Sequence, residues 1–181
     1  MQSGGLFEAS KVSSALGTNR VTIESYLQAL QTTHTIFLVR PFHGGGRKEL
    51  IKMPKLYAFD TGFVCFAKGW NKLRSEDYGV LWEHVVLEFL LAHFPVTTVH
   101  YWRDKAGHEL DFVLKRRRDE MDVLECKRTA GDFNPSSLKV FRAIYPRGRN
   151  FVVTPVSREV PDVRSLKGLE VHFVSPGDLL Q

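Results

Sequence analysis

With 181 residues, of which 43% are hydrophobic and 12% aromatic, the chain is long enough to bury a substantial core as one medium domain or two small ones. Twenty-five Lys and Arg against 20 Asp and Glu leave a net charge of +5, a mild basicity that favours a polyanionic partner without establishing one. The two cysteines, Cys65 and Cys126, sit apart in apolar runs, which excludes a disulfide framework and a zinc site and reads as reduced core thiols of a cytosolic protein. No stretch approaches the roughly 18 uncharged apolar residues of a membrane span, and Met1-Gln2-Ser3-Gly4-Gly5 lacks the pattern of a signal peptide, so a soluble, cytoplasmic protein without a membrane partner is expected.

Residues 9–31 read as two short helices with Gly17-Thr18-Asn19 between them. Asn19 is a natural cap for the second, because its side chain accepts from backbone N–H groups left free at a helix start. Val21, Ile23, Tyr26, Leu27 and Leu30 recur at helical spacing, and the pair resembles a helix-turn-helix. Ile36 to Val39 and Leu50 to Lys52 then flank the loop His43–Glu49, giving a two-stranded wing with a basic tip at Arg47 and Lys48. Residues 1–53 are therefore expected to form a winged-helix unit. If it reads DNA, Arg20, Thr22, Glu24, Ser25 and Gln28 are the exposed positions of the second helix; the same unit also serves elsewhere as a spacer or protein-interaction module.

Residues 54–78 read as a connecting segment, with a strand from Lys55 to Phe59 and Asp60 capping a short helix that runs to Lys68. From residue 79 the order is a helix over 79–94, strands 99–104, 109–115 and 121–127, a helix over 135–145, and strands 150–155 and 170–174. That order predicts an α/β fold with helices on both faces of a mixed sheet. The first of these helices is apolar almost all round, through Leu81, Trp82, Val85, Val86, Leu87, Phe89, Leu90, Leu91 and Phe94, so it is expected to be buried between layers. It carries two carboxylates, Glu83 and Glu88, and a carboxylate on a buried helix needs a partner. For Glu83 a salt bridge to Arg103 or Lys127 would supply that partner.

Thirteen residues separate Asp111 from Glu125, with Arg116-Arg117-Arg118-Asp119-Glu120 midway between them. Folded as a hairpin about Arg118, with the five residues 116–120 as its loop, the two strands set Asp111 opposite Glu125 and Glu109 opposite Lys127 on one face. Leu110, Phe112, Leu114, Leu124 and Cys126 fall on the other. Opposed carboxylates lie about 5 Å apart at Cβ, close enough to share a cation. Mg²⁺ or Mn²⁺ suits such a site, since hard cations take a few carboxylate oxygens and complete their shell with water and phosphate. Lys127 can then reach an attacking water or a phosphoryl oxygen. The competing reading is a solvent-facing hairpin whose Glu109–Lys127 pair contributes little. Arg103, Lys105, Arg128, Lys139, Arg142, Arg147 and Arg149 fall where a nucleic-acid backbone could run, while Arg116 to Arg118 read as a solvated turn. His108, next to Glu109 on a strand, should point away from it unless a bulge intervenes.

Asp111 followed after a hairpin by Glu125-Cys126-Lys127 resembles the PD-(D/E)XK motif of restriction-endonuclease-like nucleases, with Cys126 in the variable apolar slot. A longer match runs through Tyr26-Leu27, Pro54 to Gly62, Gly79 to Glu83, Tyr101-Trp102-Arg103 and Gly107 to Val113. In that order these segments resemble the carboxy-terminal region of bacterial and archaeal AAA-type ATPases, where a winged helix precedes a nuclease-like domain of unestablished function. The resemblance implies a restriction-endonuclease-like core over 79–181. It also implies that Glu83 completes a metal set with Asp111 and Glu125, beside a catalytic Lys127, and that an AAA-type ATPase domain is the partner. Because no G-x-x-x-x-G-K-[ST] run is present, any nucleotide hydrolysis belongs to residues outside this sequence. The expected activity is metal-dependent cleavage of DNA. The alternatives are a non-catalytic module that binds nucleic acid or protein and regulates an ATPase, and a winged-helix transcription regulator.

Overall fold

The computed structural model of the chain describes residues 3–44, 52–155 and 162–180. Local capping sets the amino-terminal elements. After the short strand β1 (Gly5–Leu6) and helix α1 (Ala9–Ala15), Asn19 Oδ1 accepts from the Thr22 N–H at 2.9 Å and starts α2 (Arg20–Thr32) as expected. Ile23 of α2 is buried, whereas Val21 and Tyr26 are exposed. Strand β2 (Ile36–Pro41) pairs antiparallel with β3 (Lys55–Ala58), Leu38 opposite Leu56, and β1 pairs with the other edge of β3. The partner of β2 is thus the strand of the expected connecting segment. The second wing strand at Leu50 and Ile51, and the tip at Arg47 and Lys48, lie outside the described residues. Asp60 caps α3 (Thr61–Lys68) by accepting from the Phe63 N–H at 2.8 Å.

The rest of the chain supplies α4 (Asp77–His93), β4 (Val99–Arg103), β5 (Glu109–Arg117), β6 (Glu120–Cys126), α5 (Ser136–Ile144), β7 (Asn150–Val153), β8 (Asp162–Leu166) and β9 (Leu169–Val174). Among the described residues, nine strands form one mixed sheet in the order β1-β3-β2-β4-β5-β6-β7-β9-β8. Its continuity depends on β2, which is antiparallel to β3 at one end and parallel to β4 at the other through Arg40↔His100 and Pro41↔Tyr101. Helices cover both faces, giving the expected α/β arrangement. On one face Val86, Leu87 and Leu90 of α4 pack with Tyr57, Tyr101, Phe112, Leu124 and Val153. On the other Leu138 and Phe141 of α5 pack with Trp102, Leu110, Val113, Val123 and Val152. Each such side chain contributes about 1.5–3 kcal/mol on leaving water. Helix α4 is less enclosed than its sequence suggests, since Val85 remains exposed, but Trp82 Nε1 donates to the Val153 carbonyl at 2.9 Å and fixes it to β7.

Arg142 departs from its expected place on a nucleic-acid surface. It is only 6% exposed, and its guanidinium donates to Asn150 Oδ1 and to the carbonyls of Tyr145, Arg147, Met121 and Arg149 at 2.6–3.1 Å. Burial lowers its pKa to about 10, which leaves it protonated at neutral pH as the cation that organises the α5–β7 connection. Strand β8 was not anticipated, because Asp-Val-Arg-Ser-Leu offers few apolar positions. It survives as a polar edge strand paired only to β9. No helix among the described residues is long and apolar enough to cross a membrane.

Candidate active site

The hairpin register is the one that alternation predicts. Phe112 faces Leu124 and Val113 faces Val123, and the paired ladder ends at Phe112 and Leu124, one residue short of Asp111 and Glu125. Two details differ from the sequence expectation. The loop is tighter, with Arg117 paired to Glu120 around Arg118 and Asp119 after a register shift past Lys115. More consequentially, the register of β5 against β4 shifts by one residue between His100 and Trp102, so that Asp111 and Phe112 together oppose Tyr101. This β-bulge breaks strict alternation. Leu110 therefore joins the α5-side core with Val113, not the α4-side core with Phe112 and Leu114.

The bulged Asp111 carboxylate lies at the end of β6. Its Oδ2 accepts from the Cys126 N–H at 2.8 Å and from Lys127 Nζ at 3.3 Å, while Lys127 Nζ also donates to Glu125 Oε2 at 2.6 Å. Lys127 is thus clamped between the two predicted metal ligands. Glu109, expected to face Lys127, instead takes Arg103 at 3.1 Å and Lys55 at 2.6 Å.

Glu83 reaches the same region from α4. The sequence offered Arg103 or Lys127 as its salt-bridge partner; the structure supplies Lys55 Nζ at 3.1 Å and the Tyr57 hydroxyl at 2.5 Å, both donating to Oε1. Its rival Glu88 is exposed on the helix. Lys55 and Tyr57 were missed as site residues. The signal was present, because Lys55-Leu56-Tyr57 alternates and puts both on one side of the strand, but a lysine in a strand gives no sign of being buried.

Electrostatics show a pocket short of positive charge. Burial and the neighbouring Asp111 push Glu125 well above the usual carboxylate range, although Lys127 opposes the shift. Glu83 is raised by burial and by Asp111, with Lys55 and Tyr57 pulling it back. Burial alone would lower Lys55 and Lys127; the surrounding carboxylates outweigh it and hold both above an ordinary lysine. Burial also raises the Cys126 thiol, so it stays protonated and unreactive. Among the described residues, no three His, Cys, Asp or Glu converge as a ready cation cage. The donor set is a carboxylate pair around one ammonium. Mg²⁺ and Mn²⁺ suit that set, since they bind through one or two carboxylates and fill the remaining positions with water and phosphate.

The remaining candidates scatter. Arg103 flanks the pocket through Glu109, and Lys105 is exposed in the following turn. Arg128 donates to Ser75 and lies over the Tyr78 ring. Arg20 pairs with Glu24 on α2 at 2.6 Å. Arg116 and Arg149 both engage the buried Asp122. His108 turns away from Glu109 and bonds Asp104 at 2.8 Å.

Residues 1–74 match a domain of unknown function, DUF8612, and residues 78–172, more than half of the chain, match another, DUF4143. Uncharacterized proteins of Mycobacterium bovis and Mycobacterium tuberculosis are each 28% identical over 116 residues, 62% of this chain and 26% of theirs. The chain therefore spans about a quarter of the length of these curated relatives. A chain from an assembly of Thermococcus gammatolerans McrB AAA+ hexamers with bound McrC is similar over 92% of this chain and 45% of that one, at 13% identity and a TM-score of 0.35. From α4 through most of β9, the chain belongs to the family described as a domain of unknown function, DUF4143.

Proposed function

We propose that the chain is a metal-dependent nuclease module that hydrolyses DNA phosphodiester bonds with Mg²⁺ or Mn²⁺, as part of an ATPase-associated protein with a restriction-endonuclease-like core. The observation that carries this reading is the bulge in β5, which brings Asp111 to Lys127 and Glu125 at the open end of the hairpin. Asp111 and Glu125 would hold the cation, with Glu83 assisting. A divalent cation bound there would polarise a phosphoryl oxygen and acidify a water. Lys127, held protonated by its carboxylate neighbours, would then act as a donor to the phosphoryl oxygen or the attacking water, and not as the base. Arg103, Lys105 and Arg128 would steer the backbone toward the pocket, with Arg20, Arg47 and Lys48 as further contacts if the amino-terminal unit meets DNA. An AAA-type ATPase partner is supported by the family, whose domain is often found with AAA ATPases.

The test is incubation of the purified chain with single-stranded, duplex and supercoiled DNA plus Mg²⁺ or Mn²⁺. Cleavage is expected to disappear with EDTA and to fall at least about 100-fold in Asp111→Ala and Lys127→Ala. One observation favours a second reading: all four carboxylates of the pocket are already paired with lysine or arginine. A non-catalytic module that regulates an ATPase by binding nucleic acid or protein would bind without metal and tolerate Lys127→Ala.

A further inference from the structure

We propose that the tip of the β5–β6 hairpin and the turn after α5 form a nucleic-acid anchoring site, in which Arg117, Arg118 and Arg147 hold backbone phosphates. The hairpin turns at Arg117 and Arg118, and Arg147 meets it from the α5–β7 connection, its carbonyl accepting from the Met121 N–H at 3.2 Å. Between the two turns lies a cavity of about 490 Å³, lined by the three arginines together with Asp119 and Glu120, so its walls are net positive. Arg117 is six residues beyond Asp111 on β5, about 20 Å along an extended strand, and the cavity is therefore separate from the carboxylate pocket. The site needs no metal, and it stands whether or not that pocket cleaves DNA.

The arginines gathered here are of two kinds. Arg116 and Arg149 lie against the buried Asp122 at 2.9 and 3.4 Å and share its single charge. Arg118 and Arg147 have no ion pair or side-chain hydrogen bond among the described residues, and Arg117 reaches Glu120 only at 3.8 Å. All three are exposed. Their turns are held in place, because the buried Arg142 guanidinium donates to the carbonyls of Arg147 and Arg149 at 2.7 Å, and Asp122 Oδ1 takes the Arg149 N–H at 2.8 Å. Like charges fixed side by side repel, and an anion between them removes that repulsion. Guanidinium forks match phosphate oxygens two at a time. A second cavity, of about 420 Å³, shares Arg118, Asp119 and Arg147 and is walled by Ile144, Tyr145 and Pro146. A phosphate site beside an apolar wall suits a nucleotide unit, which is charged at its backbone and apolar on the faces of its base. Free phosphate has nothing to set against that wall.

The experiment is fluorescence anisotropy of a labelled oligonucleotide, single-stranded and duplex, titrated with the full chain in EDTA at several salt concentrations. The double variant Arg118→Gln, Arg147→Gln is compared with Lys11→Ala, Lys72→Ala, which removes two exposed lysines outside the cluster and changes the net charge equally. The arginine variant is expected to lose about tenfold in affinity, and the slope of log affinity against log salt should flatten by roughly 0.7–0.9 per arginine. The lysine variant should stay near wild type. If the double arginine variant fails to fold, each single variant carries the same test with about half the change in slope. An oligonucleotide that does not bind the wild type, arginine variants that bind as wild type does, or an equal loss in the lysine variant would overturn the proposal. So would inorganic pyrophosphate that competes for the cluster more tightly than the oligonucleotide, which would mark a site for free phosphate. DNA cleavage with Mg²⁺, measured in parallel, separates anchoring from hydrolysis. No cleavage with the anisotropy pattern intact removes hydrolysis and keeps the anchor; cleavage and affinity unchanged in the arginine variant do the reverse.

Discussion

Arg142 shows how a single side chain takes a role opposite to the one its charge suggests. Its five hydrogen bonds leave no donor for a phosphate, and four of them satisfy backbone carbonyls around the α5–β7 connection. Arg142→Met should lower unfolding stability by about 3 kcal/mol or more, because buried carbonyls would lose their partners. A urea denaturation midpoint checks this, and an unchanged midpoint would mean that water enters to replace the guanidinium. Asp111, Glu125 and Lys127 were legible as a group because strand alternation and the hairpin register are local, whereas the bulge that turns Asp111 toward Lys127 depends on the fit of β5 against β4. Lys55 and Tyr57 were not, because their partner Glu83 lies 26–28 residues away on another element. Sequence composition treats Arg142, Arg116 and Arg149 as basic surface, yet each spends its charge on protein groups.

At the level of elements, most helices and strands followed from caps and periodicity, with Asn19 and Asp60 marking helix starts that the structure bears out. The β5 bulge left no trace, since Leu110-Asp111-Phe112 reads as ordinary alternation and only the fit against Tyr101 forces the extra residue. The turn between α5 and β7 is similarly exacting. Gly148 has φ +115°, and a Cβ there would lie 2.0 Å from the Met121 carbonyl oxygen. Gly148→Ala combines an unfavourable backbone region with a backbone clash, so a loss on the order of 3 kcal/mol is expected. Thermal melting would reveal it, and a melting point within a degree of wild type would show that the turn can rearrange.

For the whole molecule, the expected split into a winged unit, a connector and a core meets a sheet that runs through all three segments. Tyr57 and Val39 lie in the same buried cluster as α4, so a fragment beginning at residue 78 would expose their packing partners and uncover the edge of β4. At roughly 2 kcal/mol per buried side chain, its melting point should fall by about 10 °C or more relative to the full chain; an equally stable fragment would show that the two segments are energetically independent. The contact between them is narrow along the backbone. Strands β2 and β4 share two register pairs, one of them formed by Pro41, which has no N–H to give, before Phe42 closes the run on the Tyr101 carbonyl. A pull on the amino-terminal segment would load this seam as a tear loads a perforation. Its first effect would be to draw the Lys55 ammonium and the Tyr57 hydroxyl off Glu83, turning a mechanical displacement into a change of charge among the carboxylates.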